Sequence, residues 1–389
     1  MHVGQSVHLW AVVTSLRPML LIPGLCGTSL NCTVKDGRFI NCGDEPLNGS
    51  WRMWLNLLQF TPWNQECWID VFSLNWDGVN YSNPQGVDVW HDSGLEAVEY
   101  LGGLGDLPLL EMGYLAEITE EFIQRGHTRE VDLDAFPFDW RQTPFNLDFS
   151  PLKSKLEKLA QINDSKVVVV CHSYGCNVLN YFLNTKVDEA WKDSHVDRIV
   201  SVAGAYGGSF KAVTSLLNGT VRFFPFMYMF DEASVQRFVR HLASLYALLP
   251  NPKVADLSIV NTDTQGARHE YDALTWIRLL PDSLQQRALQ SWTLLSEPVL
   301  RDPGVPVISF VASGTGVNSY SFDERTQKLA VLSSVPGDDT LTLNSASWPR
   351  TWASTVWMEQ LLGVNHMQII REPTSVRRVV DLALRDLSD

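Results

Sequence analysis

The stretch KVVVVCHSYGCNVLNYFL, which runs from Lys166 to Leu183, decides the fold. Its four consecutive valines predict a strand buried on both faces, as the strands of parallel sheets are. The segment from Asn177 to Leu183 has helical periodicity, and the residues CHSYG lie between the two patterns. The stretch therefore predicts a strand, a sharp turn and a helix in succession, with Ser173 at the centre of the turn.

A serine in this position is typical of the nucleophile elbow, G-x-S-x-G, of α/β-hydrolases. Cys171 replaces the first glycine here, and cysteine is also small and commonly buried. Such an elbow exposes the serine hydroxyl, while the next backbone N–H and the helix N-terminus stabilise a developing oxyanion. We therefore predict that Ser173 is a nucleophile; the alternative is an ordinary buried turn serine.

A serine hydroxyl needs a base to remove its proton. In this fold the chain order is nucleophile, acid, histidine, and His366 is the only histidine beyond residue 269. The turn PGDDT lies between them and offers Asp338 or Asp339 to orient the imidazole. The pattern itself leaves the choice of aspartate open. His172 is not expected to be the base, because neighbouring side chains diverge on a tight turn.

The loop after an early apolar run supplies the second half of an oxyanion site in this fold. That loop is Ile22–Gly27, and its glycines leave backbone N–H groups accessible. We expect the amides of Leu25 and Tyr174 to be the two donors, each worth about 3 kcal/mol at the transition state. An ordinary strand-ending turn would contain the same glycines.

Apolar runs and helical patterns alternate along the chain, which favours an α/β-hydrolase fold with a mostly parallel sheet and helices on both faces. The other runs are Met19–Ile22, Arg198–Ala203 and Val305–Ala312, and the helical patterns are Leu115–Arg125, Leu152–Gln161 and Asn177–Leu183. Two segments depart from this alternation: the tryptophan-rich Cys42–Cys67 and the mostly helical Ser209–Gln290.

These departures divide the chain into a core with two additions. The predicted parts are a leader or extension (1–18), a first core part (19–208) that includes the tryptophan-rich segment (42–67), a cap or lid region (209–300) and a second core part (301–389). Within the cap, Ser209–Phe230 is the candidate for a mobile lid, with a rigid cap helix as the equal alternative.

Composition excludes several classes of protein. The 389 residues carry a net charge of −14, so there is no basic surface for nucleic acid. No run is long enough to span a bilayer, and six cysteines are too few for a disulfide scaffold. The opening 1–16 lacks a basic region and a cleavage site, so it is a poor signal peptide as written.

Glycosylation sequons favour a secretory or lysosomal route, because such sequons have meaning only in a secreted chain. They begin at Asn31, Asn48, Asn80, Asn163 and Asn218. We therefore expect a glycoprotein that is secreted or resides in the lysosome or endomembrane lumen.

Eight short motifs resemble those of the lecithin:cholesterol acyltransferase family, which includes lysosomal phospholipase A. The similar motifs are LIPGLCGTSL, CWID, FPFDWR, CHSYGC, AWKD, GAYGGS, GDDTL and VNHMQ, between Leu20 and Met367. The resemblance implies that Asp338, directly after the glycine, is the acid and that the Leu25 amide is a donor. It also implies a disulfide between Cys42 and Cys67 that closes a membrane-binding loop.

The resemblance further places Trp54 where the family has a tryptophan for substrate contact. The remaining cysteines are expected to be free thiols: Cys26, Cys32, Cys171 and Cys176. Within the loop, an i, i+3, i+4, i+7 pattern predicts one helical stripe for substrate or membrane contact, formed by Trp51, Trp54, Leu55 and Leu58. Packing of that stripe on the core is the alternative, but Leu57, Phe60 and Trp63 lie off it.

These residues together predict ping-pong acyl transfer from a glycerophospholipid, through an acyl-serine, to a lipid alcohol or to water. No metal or organic cofactor is required. The expected partners are a phospholipid membrane or lipoprotein surface and a lipid alcohol acceptor, and the chain is expected to be a monomer. Two alternatives stay open: a neutral-lipid or sterol-ester lipase on the same triad, and an inactive lipid-binding homologue.

Overall fold

A computed structural model describes residues 16–103, 112–219, 232–254 and 259–386. The strands in these ranges are β1 (Met19–Ile22), β2 (Leu30–Gly37), β3 (Leu47–Trp54), β4 (Asn75–Trp76), β5 (Tyr81–Ser82), β6 (Val87–Trp90), β7 (Leu133–Ala135), β8 (Val167–His172), β9 (Val196–Val202), β10 (Ile259–Thr262), β11 (Arg268–Tyr271), β12 (Val307–Ser313), β13 (Val317–Asp323), β14 (Lys328–Val335) and β15 (Thr355–Leu362).

The helices in the same ranges are α1 (Gln65–Phe72), α2 (Glu96–Glu99), α3 (Ala116–Gln124), α4 (Ser150–Asn163), α5 (Tyr174–Thr185), α6 (Glu189–His195), α7 (Phe210–Asn218), α8 (Glu232–Arg240), α9 (Ala243–Ala247), α10 (Asp282–Leu300), α11 (Leu343–Ala346) and α12 (Pro373–Leu384). Short 3₁₀ turns lie between them, at Leu57–Phe60, Pro144–Asn146, Trp276–Leu279, Trp348–Thr351 and Gln368–Ile370.

A six-stranded parallel sheet forms the centre of the molecule, in the order β15-β12-β9-β8-β1-β7. All six residues of β8 are buried, which means that both faces of the sheet are covered. Helices α4, α5 and α6 contact β8 or β9, and α12 contacts β9 and β12. The prediction of an α/β-hydrolase fold is confirmed, and the four predicted strands lie within two residues of their expected ends.

Parallel strands bring their carboxyl ends to one edge of a sheet, and ligands bind at that edge in open α/β folds. The loops after β1, β8 and β15 begin there, and they contain Leu25, Ser173 and His366 respectively. A hairpin, β13–β14, separates β12 from the turn that contains Asp338. The topology therefore assembles the predicted site from segments that are far apart in sequence.

The segment Ser209–Gln290 is only partly helical, so its prediction needs correction. It contains the predicted helices, α7 to α9 and the start of α10, but also the strands β10 and β11. These two strands join β13 and β14 in a four-stranded sheet of order β11-β10-β13-β14. β11 pairs with the neighbouring β10, and β10 pairs with β13, where Val260 lies opposite Ser321, a long-range contact that local periodicity does not report.

The stretch Trp51–Leu58 is not a helix, and the prediction of one helical stripe there is wrong. Residues 51–54 end strand β3, which pairs with β2, and β6 completes a three-stranded sheet on the other side of β2. A 3₁₀ turn follows at Leu57–Phe60. Sheet pairing to a distant segment overrides the helical spacing of the apolar residues.

Two expectations fall partly outside the described residues. The leader or extension at 1–18 does so up to residue 15, and the lid candidate Ser209–Phe230 does so from residue 220. In the described ranges, no helix has both the length and the apolarity to cross a membrane.

Candidate functional site

Ser173 lies between β8 and α5 with φ = 54° and ψ = −123°, a backbone conformation that residues other than glycine rarely adopt. The turn projects the serine at the carboxyl edge of the sheet, where it is 7% exposed. Gly175 permits the tight packing behind it, because a Cβ there would lie 2.2 Å from the Pro23 carbonyl oxygen. The strained serine and the following glycine are the two features of the elbow that the sequence predicted.

The three predicted polar groups form one hydrogen-bonded line. Ser173 Oγ lies 2.8 Å from His366 Nε2, and His366 Nδ1 lies 2.7 Å from Asp338 Oδ2. All three side chains are buried or nearly so. The His366 backbone N–H also donates to the Asp338 carbonyl oxygen at 2.9 Å, so the histidine loop is fixed to the acid turn by main chain as well as side chain.

Asp338, rather than Asp339, faces the imidazole. Its side chain is fully buried, and its Oδ1 accepts from the amides of Thr340 at 3.0 Å and Leu341 at 2.6 Å. Asp339 points away and pairs with Lys211 at 2.5 Å. Burial raises the pKa of Asp339, but the Lys211 ammonium and hydrogen bonds outweigh it, and the net pKa is lowered.

The loop after β1 closes over the elbow. A Cβ on Gly24 would lie 2.8 Å from the Ser173 Cβ and 2.7 Å from the Tyr114 hydroxyl, so only glycine permits this approach. Leu25 lines the same cavity as Ser173, and helix α5 begins at Tyr174, directly after the serine. That the amides of Leu25 and Tyr174 are the two oxyanion donors stays a prediction.

A cavity lies above Ser173. Its walls are mainly apolar beside the serine and histidine, and they are formed by Leu25, Tyr114, His172, Ala205, Ser209, Lys211, Leu248, Thr340, Leu341 and Met367. An apolar cavity with a few convergent polar groups is the usual form of a site for a largely apolar ligand. Trp54, which the resemblance placed in contact with substrate, does not line it.

His172 points away from the serine hydroxyl, as expected. Its Nδ1 lies 2.6 Å from the Tyr114 hydroxyl, and its Nε2 lies 3.1 Å from the His366 carbonyl oxygen. Burial, and then the nearby His366, lower the pKa of His172 well below its ordinary value, so the ring is neutral. Tyr114 is a residue of this site that sequence reasoning missed, because no motif surrounds it.

Two disulfides are present. The sulfur atoms of Cys42 and Cys67 are bonded at 2.02 Å, which is the pairing that the resemblance implies. Cys26 and Cys32 are free and buried, as expected. The expectation of free thiols at Cys171 and Cys176 is wrong, because these two are bonded to each other. The elbow folds back within five residues and brings their Cα atoms to 5.0 Å, within the range that a disulfide spans.

The loop closed by Cys42 and Cys67 has both buried and exposed aromatic residues. Trp54 and Leu55 are 2% and 1% exposed, so the expectation that they contact a membrane is wrong for this conformation. Trp54 instead donates to the Cys26 carbonyl oxygen at 2.9 Å and packs on Trp140. The apolar side chains of this loop that do face solvent are Leu58 and Trp63, with exposures of 46% and 78%. Ile40, just before the loop, is 97% exposed.

Two ion-pair networks, one of them around a buried arginine, connect loops of the molecule. Arg141 of the FPFDWR motif is fully buried and donates to Asp139, to Asn83 and to the Phe72 carbonyl oxygen. Arg237 of α8 pairs with both Glu66 and Asp70 of α1. The second network fastens the disulfide-closed loop to the cap region.

The five sequons differ in accessibility. Asn48 and Asn80 are exposed, whereas Asn31 and Asn218 are 7% and 5% exposed. Asn31 also accepts a hydrogen bond from Arg52 at 3.0 Å. Glycans therefore fit at Asn48 and Asn80 in the folded protein and do not fit at Asn31 and Asn218. Across the described ranges, no group of three or more His, Cys, Asp or Glu side chains is arranged to hold a metal ion.

Comparison with known proteins shows the family to which this chain belongs. The model of the lecithin:cholesterol acyltransferase family matches residues 50–293. Phosphatidylcholine-sterol acyltransferase of Gallus gallus is 25% identical over 375 residues, which cover 92% of this chain and 87% of that protein. Lysosomal phospholipase A and acyltransferase of Rattus norvegicus is 25% identical over 386 residues, with coverages of 92% and 88%.

A solved structure supports the fold alone. A chain in the crystal structure of the Tle4-Tli4 complex superposes with a TM-score of 0.52 at 10% identity. The superposition covers 94% of this chain and 98% of that one.

Proposed function

Because the chain belongs to the lecithin:cholesterol acyltransferase family, we propose that it moves a fatty acyl group from a glycerophospholipid, through an acyl-serine, to a lipid alcohol or to water. The observation that carries this proposal is the hydrogen-bonded line from Ser173 through His366 to Asp338 beneath an apolar cavity. The relatives are acyltransferases and a phospholipase by name, and the donor and acceptor proposed here follow from that kinship and from the cavity.

In the first half of the reaction, His366 Nε2 takes the proton from Ser173 as its oxygen attacks the ester carbonyl. Asp338 holds the imidazole with Nδ1 protonated and stabilises the positive charge that it gains. The amides of Leu25 and Tyr174 stabilise the tetrahedral oxyanion, and His366 returns the proton to the departing lysophospholipid oxygen.

In the second half, the acyl-serine is attacked by the hydroxyl of a lipid alcohol or by water. His366 takes the proton from that acceptor and then returns it to Ser173. An apolar wall beside the acyl-enzyme favours an apolar alcohol, because each methylene removed from water contributes about 0.8 kcal/mol. Both products arise from one intermediate, so their ratio measures the acceptor preference.

The substrate is proposed to be taken directly from a lipid surface. Moving a long acyl chain from a bilayer into water costs on the order of 10 kcal/mol, which a docked enzyme avoids. Leu58 and Trp63 are the exposed apolar side chains of the disulfide-closed loop, and a tryptophan is well suited to a bilayer interface. The net charge of −14 opposes attraction to anionic lipid, so apolar insertion has to dominate.

Trp63→Ala is expected to weaken binding to phosphatidylcholine vesicles by roughly 10- to 100-fold, because burying such a side chain contributes about 1.5–3 kcal/mol. Turnover of a short soluble ester is expected to stay unchanged. Vesicle cosedimentation measures the first quantity and an esterase assay the second. The matched control is Trp357→Ala, which removes a tryptophan that is 40% exposed on the edge strand β15. Equal vesicle binding by both variants would remove Trp63 from the proposed contact.

The two disulfides favour an oxidising compartment, where such bonds persist. A relative is named for the lysosome, and Asn48 and Asn80 are sequons on the surface. A secreted or lysosomal location is therefore proposed.

The experiment that tests the function is lipid mass spectrometry after incubation with phosphatidylcholine liposomes that contain a lipophilic alcohol, at acidic and neutral pH. Esterified alcohol that requires Ser173 would support acyl transfer. Free fatty acid without the ester would restrict the activity to that of a phospholipase. Acyl release from triacylglycerol or sterol ester alone would mean that the acyl donor is a neutral lipid or a sterol ester rather than a glycerophospholipid. No acyl release from any of these lipids would favour the alternative of an inactive lipid-binding homologue.

A further inference from the structure

We propose that Tyr114 and His172 are a pair of positioning residues. They hold two loops in place relative to Ser173: the loop Ile22–Gly27 after β1 (the oxyanion loop) and the loop after β15 that contains His366 (the histidine loop). The inference rests on the proposed serine mechanism and extends it to two residues that do not react. Tyr114 comes from the segment before α3 and His172 from the end of β8, and together they join loops that follow β1 and β15.

A continuous chain of hydrogen bonds makes this connection. The Gly24 amide donates to the Tyr114 hydroxyl oxygen at 3.0 Å, and that hydroxyl lies 2.6 Å from His172 Nδ1. His172 Nε2 then lies 3.1 Å from the carbonyl oxygen of His366. Gly24 directly precedes Leu25, so one end of the chain is the residue before a proposed oxyanion donor and the other is the proposed base itself.

The direction of every proton in this chain is determined. The His366 carbonyl can only accept, so His172 Nε2 carries the hydrogen. In the neutral ring Nδ1 then accepts, and its partner is the Tyr114 O–H. The Tyr114 oxygen keeps a lone pair for the Gly24 amide, which is a donor. With the ring neutral, no other arrangement satisfies all three contacts without placing two lone pairs against each other.

Burial supports this assignment. Tyr114 is 2% exposed and His172 is 2% exposed. Burial raises the pKa of the Tyr114 hydroxyl, and burial together with His366 lowers the pKa of His172, so both side chains stay neutral. A chain of neutral side chains whose donors and acceptors are fixed is rigid, because no other partner is available to each buried group.

The oxyanion loop is shaped around the tyrosine ring. A Cβ on Gly27 would lie 2.5 Å from the ring of Tyr114, and a Cβ on Gly24 would lie 2.7 Å from its hydroxyl. Arg371, beyond the histidine loop, donates to the Gly113 carbonyl oxygen and so holds the backbone next to Tyr114. The ring therefore packs against the loop that contains Gly24 and Gly27, in addition to its hydrogen bonds.

Removing the Tyr114 hydroxyl leaves the Gly24 amide and His172 Nδ1 without their partners in a buried place. The loop and the ring then shift to find other partners, which moves the Leu25 amide and the His366 backbone relative to Ser173. Displacements of about 1 Å in such groups cost up to about 100-fold in rate. Because Tyr114→Phe keeps the aromatic ring that lines the cavity, the loss is expected in kcat and in the rate of serine labelling, with KM little changed.

The test compares Tyr114→Phe with Tyr246→Phe, a matched loss of one buried tyrosine hydroxyl, whose partner is the Arg240 carbonyl oxygen at 2.9 Å. The rate of Ser173 labelling by a fluorophosphonate and the kcat and KM for a short ester are measured, with melting temperatures for both variants. Tyr114→Phe is expected to lose roughly 10- to 100-fold in labelling rate and kcat, while Tyr246→Phe loses less than about threefold. Equal rates for the two variants would overturn the proposal.

His172→Phe provides a second route, which also serves if Tyr114→Phe does not fold. It breaks the same chain, so its kcat is expected to fall by a similar factor, and the double variant is expected to be no more than about threefold worse than either single one. If the losses in kcat of the two single variants multiply in the double variant, the two residues act independently, and the proposal that they act as a pair would be overturned. Absence of labelling in the unaltered protein would instead contradict the proposed serine mechanism.

Discussion

Replacing Ser173 by alanine is expected to lower acyl release from phosphatidylcholine by on the order of 10⁶-fold. His366 Nε2, which lies 2.8 Å from Ser173 Oγ, has no other nucleophile within the elbow to deprotonate. The fold should survive, because the backbone contacts of the turn remain: the Ser173 amide donates to the Val202 carbonyl oxygen and the Cys176 amide to that of residue 173. Lipid mass spectrometry measures fatty acid and ester, and a fluorophosphonate probe measures covalent labelling.

The control for this variant is Ser309→Ala. Ser309 is a buried serine in β12, and its hydroxyl has no hydrogen-bond partner among the described residues. Its loss should leave activity within about twofold, since replacing an unpaired buried hydroxyl is nearly neutral. Residual turnover in Ser173→Ala above a hundredth of the original rate would mean that another residue attacks the ester, and the proposed mechanism would fail.

The parts of the fold that the sequence predicted best are those whose signal is local. Strand β8 and the elbow are specified by consecutive residues, because a parallel strand covered on both faces needs an unbroken apolar run. Ser173 and Gly175 then follow from the geometry of the turn itself. The order of nucleophile, acid and histidine reduced nine histidines to His366, which does lie 2.8 Å from the serine.

The parts that the sequence did not predict depend on partners far along the chain. Trp51–Leu58 has helical spacing, but its first half pairs with β2 and its tryptophan at 54 is covered by Trp140. Tyr114 reaches the site through contacts with Gly24 and His172, which lie 90 and 58 residues away. The bond between Cys171 and Cys176 is a local feature that the elbow could have revealed, since the same turn that exposes the serine brings its flanking residues together.

Asp338→Asn is expected to lower kcat by about 10⁴-fold while leaving the fold intact. The two oxygens of Asp338 have different partners: Oδ1 accepts from the amides of Thr340 and Leu341, and Oδ2 faces His366 Nδ1. An asparagine keeps its oxygen on the two amides, so its NH₂ group replaces Oδ2. That group donates to Nδ1, which forces the hydrogen of the imidazole onto Nε2. The ring then cannot accept the proton of Ser173.

Asp339→Asn is the matched control, because it makes the same change at the adjacent residue of the same turn. Asp339 pairs with Lys211 at 2.5 Å, and its side chain is 43% exposed, so this pair is worth about 1 kcal/mol or less. We expect a change in kcat below about tenfold. Steady-state kinetics on a short ester, with circular dichroism for the fold, separate the two variants. If kcat of Asp338→Asn stays within tenfold of that of the unaltered protein, or if Asp339→Asn loses more kcat than Asp338→Asn, then Asp338 is not the acid that orients His366.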